Sequence, residues 1–367
     1  MRLVLLGGGH AHLFVLEALR AGRLPGADVT LVSPVAQQAY TAMLPGLLAG
    51  LVTEADCTFD LAALARQAGA RFLAGRAVRV DAVERCVHLG SGRPLDYDYL
   101  SIATGSTPAG LDVPGVAAHT HAVRPLERTR ALIAALDDAP SGVRVAVVGG
   151  GATGIETAFA IRARLDGRGS VALLEQGPRL LADRSPAAAD IALRELRSRD
   201  VGVALGARVE AVEERSLMVS FGARMPADLV VWAAGVTATS LGRDSGLATD
   251  EHGFVLVDGT LRSVSHPTIF ASGDAAALRE APWVPKAGAY AMRQGPVLAK
   301  NLAALATGKP VTRVYRPQRD HLALIGTNAG RAIFVRGRTV LAAPWAQRLK
   351  DYLDRGFMRR FQDLRRA

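Results

Sequence analysis

The chain has 367 residues, 49% hydrophobic and 21% charged, a balance that excludes a disordered or fibrous protein and suggests two or three domains. Its two cysteines, Cys57 and Cys86, exclude a disulfide scaffold and a multi-cysteine zinc site. The net charge of +10 would fit nucleic acid, an anionic membrane or an acidic substrate, but it sits at one end. Residues 311–367 hold 13 basic and 4 acidic residues, a net +9, against +1 for residues 1–310. Nucleic acid is therefore not an expected partner.

In chain order, the apolar run 3–6 leads into Gly7-Gly8-Gly9, a helical stretch with Leu13, Leu16 and Leu19, and a second run at 29–32 ending in Ser33. This is a βαβ pattern. A strand at 99–102 follows, running into Ala103-Thr104-Gly105, then a linker and a helix over 125–136. The pattern repeats: 145–148, Gly149-Gly150-Gly151, a helix from Ile155, a strand at 171–174 ending in Glu175, and a later strand at 229–232 before Ala233-Ala234-Gly235. From first glycine to the end of the second strand is 26 residues in both copies. An apolar strand then ends in Ser272-Gly273-Asp274, with a helix from about Gly288. Strands at 321–325, 331–335 and 338–342 and a helix from 345 to the end form a small α+β module. The expected fold class is α/β, with two Rossmann-like domains and that C-terminal module. No secretory signal and no run of about 18 apolar residues is visible, so the cytoplasm is the expected compartment.

A Gly-x-Gly-x-x-Gly loop between strand and helix binds pyrophosphate for physical reasons. The first glycine permits the turn, the second lets amides approach the phosphates, and the third lets helix and strand pack closely; the helix N-terminus adds positive field. Gly149, Gly151 and Gly154 fit in full. Glu175 is placed to accept both ribose hydroxyl protons and to repel a 2′-phosphate, favouring NADH over NADPH, although Arg179 lies close in sequence. The first copy keeps Gly7 and Gly9 but has His12 at the third position and Ser33 at the acid position, where a hydroxyl is a weaker ribose partner. Gly273-Asp274 ahead of a helix suits a flavin: the carboxylate for ribityl hydroxyls, the helix N-terminus at Gly288 for the flavin pyrimidine.

These elements make the chain resemble the two-dinucleotide-domain flavoproteins, the pyridine-nucleotide-dependent FAD oxidoreductases, from residue 3 to about residue 303. Within them it is similar to the type II NADH dehydrogenase-like group, and closer still to the flavoprotein domain fused ahead of selenide, water dikinase. Gly7-Gly8-Gly9-His10-Ala11-His12, Tyr40-Thr41-Ala42-Met43-Leu44-Pro45-Gly46, Pro285-Lys286-Ala287-Gly288 and Arg293-Gln294-Gly295-Pro296 carry that likeness. The resemblance implies an FAD domain over 1–112 and 251–310, an inserted NAD(P)H domain over 113–250, and the module over 311–367. It implies FAD contacts at Gly7, Gly9, His10, Ala11, Ser33, Val78, Ala103, Thr104, Gly105, Gly273, Asp274, Lys286 and Gly288. NADH contacts fall at Gly149, Gly151, Gly154, Glu175, Ala234 and Gly235. The activity implied is transfer of hydride from NADH to flavin and on to a small acceptor such as a quinone.

Two departures bear on the chemistry. Cys57 and Cys86 are 29 residues apart with no close partner, so dithiol chemistry is not expected. The quinone-site segment Ala-Gln-x-Ala-x-Gln of type II dehydrogenases corresponds to residues 288–293, where both glutamines are replaced, by Ala289 and Arg293.

Hydride transfer is cofactor chemistry, so few side chains are candidates for catalysis. Lys286, one of four lysines, is placed to offset negative charge at a reduced flavin; the competing reading is a surface lysine. Glu156, by resemblance, faces the nicotinamide; the competing reading is a first-turn glutamate on the helix dipole. Residues 40–45 are expected to line the other flavin face. His10 and His12 stand two apart at a helix start and do not share a face, so no metal site is expected. His10 suits a hydrogen bond near the FAD pyrophosphate.

Trp345, Leu349, Leu353, Phe357, Phe361 and Leu364 form an apolar stripe among seven basic residues, from Arg348 and Lys350 to Arg365 and Arg366. A basic amphipathic helix of this kind suits an anionic membrane surface, and its alternative is packing on the protein. The expectation is an FAD-dependent NADH oxidoreductase, cytoplasmic and peripheral on the inner face of the cell membrane. An NADH-responsive redox sensor and an electron-supplying partner in selenium or sulfur metabolism stay open beside it.

Overall fold

The computed structural model describes the chain except Ser91, Arg93, residues 365–367 and the Phe221 side chain. Strand β1 (Arg2–Leu6) leads through the glycine turn into helix α1 (His10–Arg20) and strand β2 (Asp28–Ser33). β2 pairs with β3 (Arg71–Ala74), and a side meander opens with β4 (Ala77–Asp81). Strand β5 (Tyr99–Ile102) lies on the other side of β1, so β5–β1–β2–β3 form a parallel sheet with Leu3 opposite both Val29 and Tyr99. Leu3 to Leu6 are buried on both faces, as parallel strands covered by other layers must be.

A second parallel sheet repeats the design. Strand β6 (Val143–Val148), helix α2 (Ala152–Leu165), β7 (Gly169–Glu175), β8 (Val201–Leu205) and β9 (Leu229–Trp232) give the order β9–β6–β7–β8, with His121–Ala122 beyond β9. The chain then re-enters the first sheet: β10 (Ile269–Ala271) pairs with β5. Helix α3 (Gly288–Ala306) follows and lies along α1. Both glycine loops therefore stand at the carboxyl ends of parallel strands, where open α/β sheets bind ligands.

The end of the chain forms an antiparallel sheet, β11 (Ala323–Gly326), β12 (Ala332–Arg336) and β13 (Thr339–Ala343), followed by helix α4 (Pro344–Phe361). Each strand lies within two residues of its expected place. Of the two readings of the apolar stripe, packing on the protein holds for the last turns of α4. Its last turns cross α1: the Phe361 ring meets Phe14 at 4.7 Å, Phe357 stacks on Tyr40 at 4.7 Å, and Arg360 grips Glu17 through two bonds of 2.7 and 2.8 Å. Met358, Phe361 and Leu364 are buried, because Phe14, Tyr40 and Phe59 offer an aromatic surface that water does not. Trp345, Tyr352 and Leu353 stay exposed. Arg365 and Arg366 lie outside the described residues. Among the described residues no helix is long and apolar enough to cross a membrane.

Candidate dinucleotide and flavin site

The first loop turns at Gly7, whose φ of +89° favours glycine; a Cβ there would also stand 2.5 Å from Ala103 O. Gly9 is the N-cap of α1, and while the His12 N–H donates back to Gly9 O at 2.9 Å, the His10 and Ala11 amides at the helix start face outward for an anion. His10 lies edge-on between Tyr40 at 5.4 Å and Phe357 at 5.8 Å. Its Nε2 is buried with no partner, and burial lowers its pKa to about 4, so it is a neutral ring with one unused nitrogen.

His12 does not pack as the absent third glycine would. Its Nδ1 lies 2.7 Å from Gly7 O and its Nε2 2.9 Å from Ser101 Oγ. A carbonyl only accepts, so Nδ1 carries the proton and Nε2 accepts from Ser101.

Asp274 follows β10, accepts from Ser106 Oγ at 3.0 Å and pairs with Arg124 at 3.5 Å. Gly273 N–H donates to Gln294 Oε1 of α3 at 2.6 Å. A cavity of about 280 Å³ opens beside them, walled by Phe254, Pro285, Lys286 and Tyr290. That volume lies just below the roughly 300–1,000 Å³ typical of ligand sites, so it suits one ring system rather than a whole dinucleotide.

Ala103 and Thr104 carry the chain from β5 past Gly7, and Gly105 turns it with φ +75°. Val78 stands where the register between β4 and its partner shifts, a bulge that leaves its backbone polar groups outside the ladder. The Ser33 hydroxyl donates to Val35 O at 2.8 Å and accepts Val35 N–H at 3.3 Å, closing its own turn.

In the second loop, Gly151 caps α2, and a Cβ on Gly154 would stand 1.8 Å from Gly149 O. Only glycine admits that approach. The Glu175 carboxylate accepts Gly150 N–H at 2.7 Å and Gly177 N–H at 2.6 Å, which holds it against the loop. Arg179 donates to the carbonyls of Leu181, Ala182 and Arg184, so its guanidinium is tied to its own turn. Ala234 and Gly235 lie exposed just beyond β9.

The two catalytic candidates have no partners in common. Lys286 lines the cavity, but its ammonium donates to Ala276 O and sits 3.8 Å above the Phe254 ring; burial lowers its pKa. Gly288 opens α3 next to it. The Glu156 carboxylate instead accepts Gly326 N–H at 2.9 Å from the C-terminal module. Burial raises its pKa, against the opposing charge of Lys350.

Sequence patterns missed the group around Glu156. Lys350 donates to Asp354 at 2.7 Å and Ala42 O at 2.9 Å, and Tyr40 Oη donates to the other Asp354 oxygen at 3.1 Å. Burial lowers the Lys350 pKa, but Glu156 and Asp354 together outweigh it and keep the group charged. The signal was present: Lys350 and Asp354 stand i, i+4, and lysine is rare in this chain. Reading them as the polar face of an amphipathic helix concealed it.

The orphan His10 nitrogen, the open α1 amides and the glycine cradle under Ala103 fit FAD. The second loop with Glu175 fits a pyridine nucleotide. A profile of the pyridine nucleotide-disulphide oxidoreductase family matches residues 1–301. The chain belongs to that family.

It is an oxidoreductase that works with FAD and NAD(P)H. Among similar proteins, the demethylphylloquinone reductase of Synechocystis is 28% identical over 93% of this chain and 90% of that protein. The type II NADH:quinone oxidoreductase of Haemophilus influenzae is 29% identical over 84% and 81%. In fold, the sulfide:quinone oxidoreductase of Aquifex aeolicus superposes with a TM-score of 0.82 at 19% identity, covering 99% of this chain and 92% of that one. NDH2 of Plasmodium falciparum, in complex with NADH, gives 0.81 at 16%, covering 98% of both. The family's name does not extend to a dithiol here. Cys57 is buried with its thiol pKa pushed up to about 11, and Cys86 lies apart on the meander.

Proposed function

We propose that the protein oxidises NADH and reduces a quinone-type acceptor, with its C-terminal helix against an anionic membrane. The observation that supports NADH is the second loop: Glu175 fixed by two amides, and Arg179 turned away into three carbonyls. A 2′-phosphate there meets the Glu175 carboxylate, with Arg179 tied to its own turn. When bound, FAD accepts the electron pair of NADH and hands it to the acceptor.

The chain's own residues do the rest. Gly7, Gly9 and the α1 amides would hold the FAD pyrophosphate, His10 Nε2 would bond beside it, and Asp274 would hold the ribityl hydroxyls. Val78, at its bulge, offers backbone groups to the same cofactor, and Lys286 offers positive charge on the cavity wall. Glu156 would border the nicotinamide. Residues 1–112 and 251–310 form the FAD unit and 113–250 the NADH unit in this reading.

The acceptor assignment is supported by the quinone-reducing relatives and by the charged group Tyr40, Asp354 and Lys350 on the Tyr40 side. The membrane contact is supported by exposed Trp345, Tyr352 and Leu353 beside Arg348, Arg355 and Arg359. A steady-state screen with NADH and soluble naphthoquinones tests the acceptor. Turnover with quinone at least tenfold faster than with oxygen is expected, and no quinone turnover contradicts it.

A further inference from the structure

Helix α3 carries a cation, Arg293, with a buried guanidinium nitrogen that no partner among the described residues satisfies. Arg293 follows Met292, whose Sδ lies 3.7 Å from Tyr40 Oη, and precedes Gln294, which holds Gly273. Three residues on from Tyr290, it shares that residue's side of the helix, where His321 packs against the Tyr290 ring at 4.8 Å. Its Nη1 is buried without a partner, and among the described residues no hydrogen bond or ion pair reaches its guanidinium.

The neighbouring polar groups are committed elsewhere. Arg184 donates to His321 Nε2 at 2.8 Å, so His321 is protonated on Nδ1 and donates to Tyr290 Oη at 2.9 Å; Tyr290 in turn donates to Gln318 O at 3.1 Å. Arg184 has its own counter-ion in Asp183 at 3.2 Å. Tyr315, only 6% exposed, ends in a hydroxyl with no partner. The Arg293 charge acts on Tyr290, Tyr315 and His321 alike. A desolvated guanidinium nitrogen without an acceptor is costly unless a ligand supplies one. The partner that balances it is an anion, and a planar guanidinium suits carboxylate, sulfonate or phosphate oxygens.

We propose that Arg293 holds a negatively charged group of the electron acceptor and so selects anionic over neutral acceptors. This rests on the proposed quinone-type acceptor, and places its charged group at the face of α3 that carries Tyr290 and Arg293. Arg293 also stands where the type II dehydrogenases carry a neutral glutamine, so the predicted preference is a property of this chain.

The test compares the FAD-loaded wild type with Arg293→Gln and Arg293→Lys. The substrates are 1,4-naphthoquinone-2-sulfonate and neutral 2-methyl-1,4-naphthoquinone. In wild type kcat/KM favours the sulfonate. Arg293→Gln lowers that preference about tenfold or more, chiefly through KM, and Arg293→Lys recovers part of it. Calorimetric titration of sulfonated quinone into oxidised protein, without NADH, weakens by the same factor. Tm of Arg293→Gln is equal to or above wild type, because an unbalanced charge has been removed.

An unchanged preference and titration overturn the proposal. So does a lower Tm with both acceptors affected equally, which is a structural role. Inorganic phosphate displacing the sulfonated quinone at lower concentration than the quinone itself also overturns it, in favour of a free-anion site. If wild type reduces neither quinone although NADH bleaches its flavin, the acceptor reading fails, and the titration still decides Arg293.

Discussion

His12 Nδ1 lies 2.7 Å from the carbonyl oxygen of Gly7, and the corresponding carbonyl in the second loop, that of Gly149, abuts Gly154. The two loops close by different means, one with a buried imidazole bond and the other with glycine contact. His12→Ala leaves Gly7 O and Ser101 Oγ without that ring and opens a cavity, so it costs about 3 kcal/mol. Urea denaturation measures it; a loss under about 0.5 kcal/mol contradicts the bond.

The same histidine makes stability depend on pH. Burial lowers its folded pKa to about 4, against about 6.5 unfolded. The unfolded chain therefore takes up a proton that the folded chain refuses as pH falls from about 6.5 to about 4, and stability is lost over that window. Between pH 7 and 5 this group removes about 2 kcal/mol. His12→Gln, denatured at both pH values, should lose about that much less than wild type, and an identical pH difference would count against a neutral His12.

Gly154→Ala places a Cβ within 1.8 Å of Gly149 O, so strand and helix must separate at the nucleotide loop. NADH affinity, read by titration of protein fluorescence, is expected to fall more than tenfold with FAD content unchanged. Loss of FAD instead would move that loop's role to the flavin.

Glu175→Ala removes the carboxylate that repels a 2′-phosphate. The ratio of kcat/KM for NADPH over NADH should rise about tenfold. Arg179→Ala should leave the ratio unchanged and lower Tm, since its guanidinium bonds only to its own turn.

Helix α4 divides into two halves with separable roles. Phe361→Ala, at a fully buried ring, costs about 3–4 kcal/mol. The triple change of Trp345, Tyr352 and Leu353 to alanine should alter stability by less than about 1 kcal/mol while abolishing co-sedimentation with anionic liposomes. Equal liposome binding by the triple variant removes the membrane contact from the account.

The sheets were legible because parallel buried strands read as continuous apolar runs, and the glycine loops announce where they end. The partners of the site were less legible. Arg124, Gln294 and Asp354 act across 150, 21 and 314 residues on Asp274, Gly273 and Tyr40, and no local periodicity encodes such pairs. The C-terminal stripe was legible as apolar but not in direction, because an aromatic stripe reads the same whether Phe14 and Tyr40 or a membrane covers it. The Ser33–Val35 turn was not legible either, since a serine two residues before a carbonyl can close its own turn.

The central claim is an FAD protein reduced by NADH without a dithiol. Anaerobic titration with NADH, followed in the visible spectrum, tests it most directly. One equivalent of NADH per flavin should bleach the bound FAD fully, in the Cys57→Ser and Cys86→Ser double variant as in wild type, with NADPH at least tenfold slower. A second equivalent of NADH consumed by wild type alone, or a flavin that NADH leaves oxidised, would contradict it.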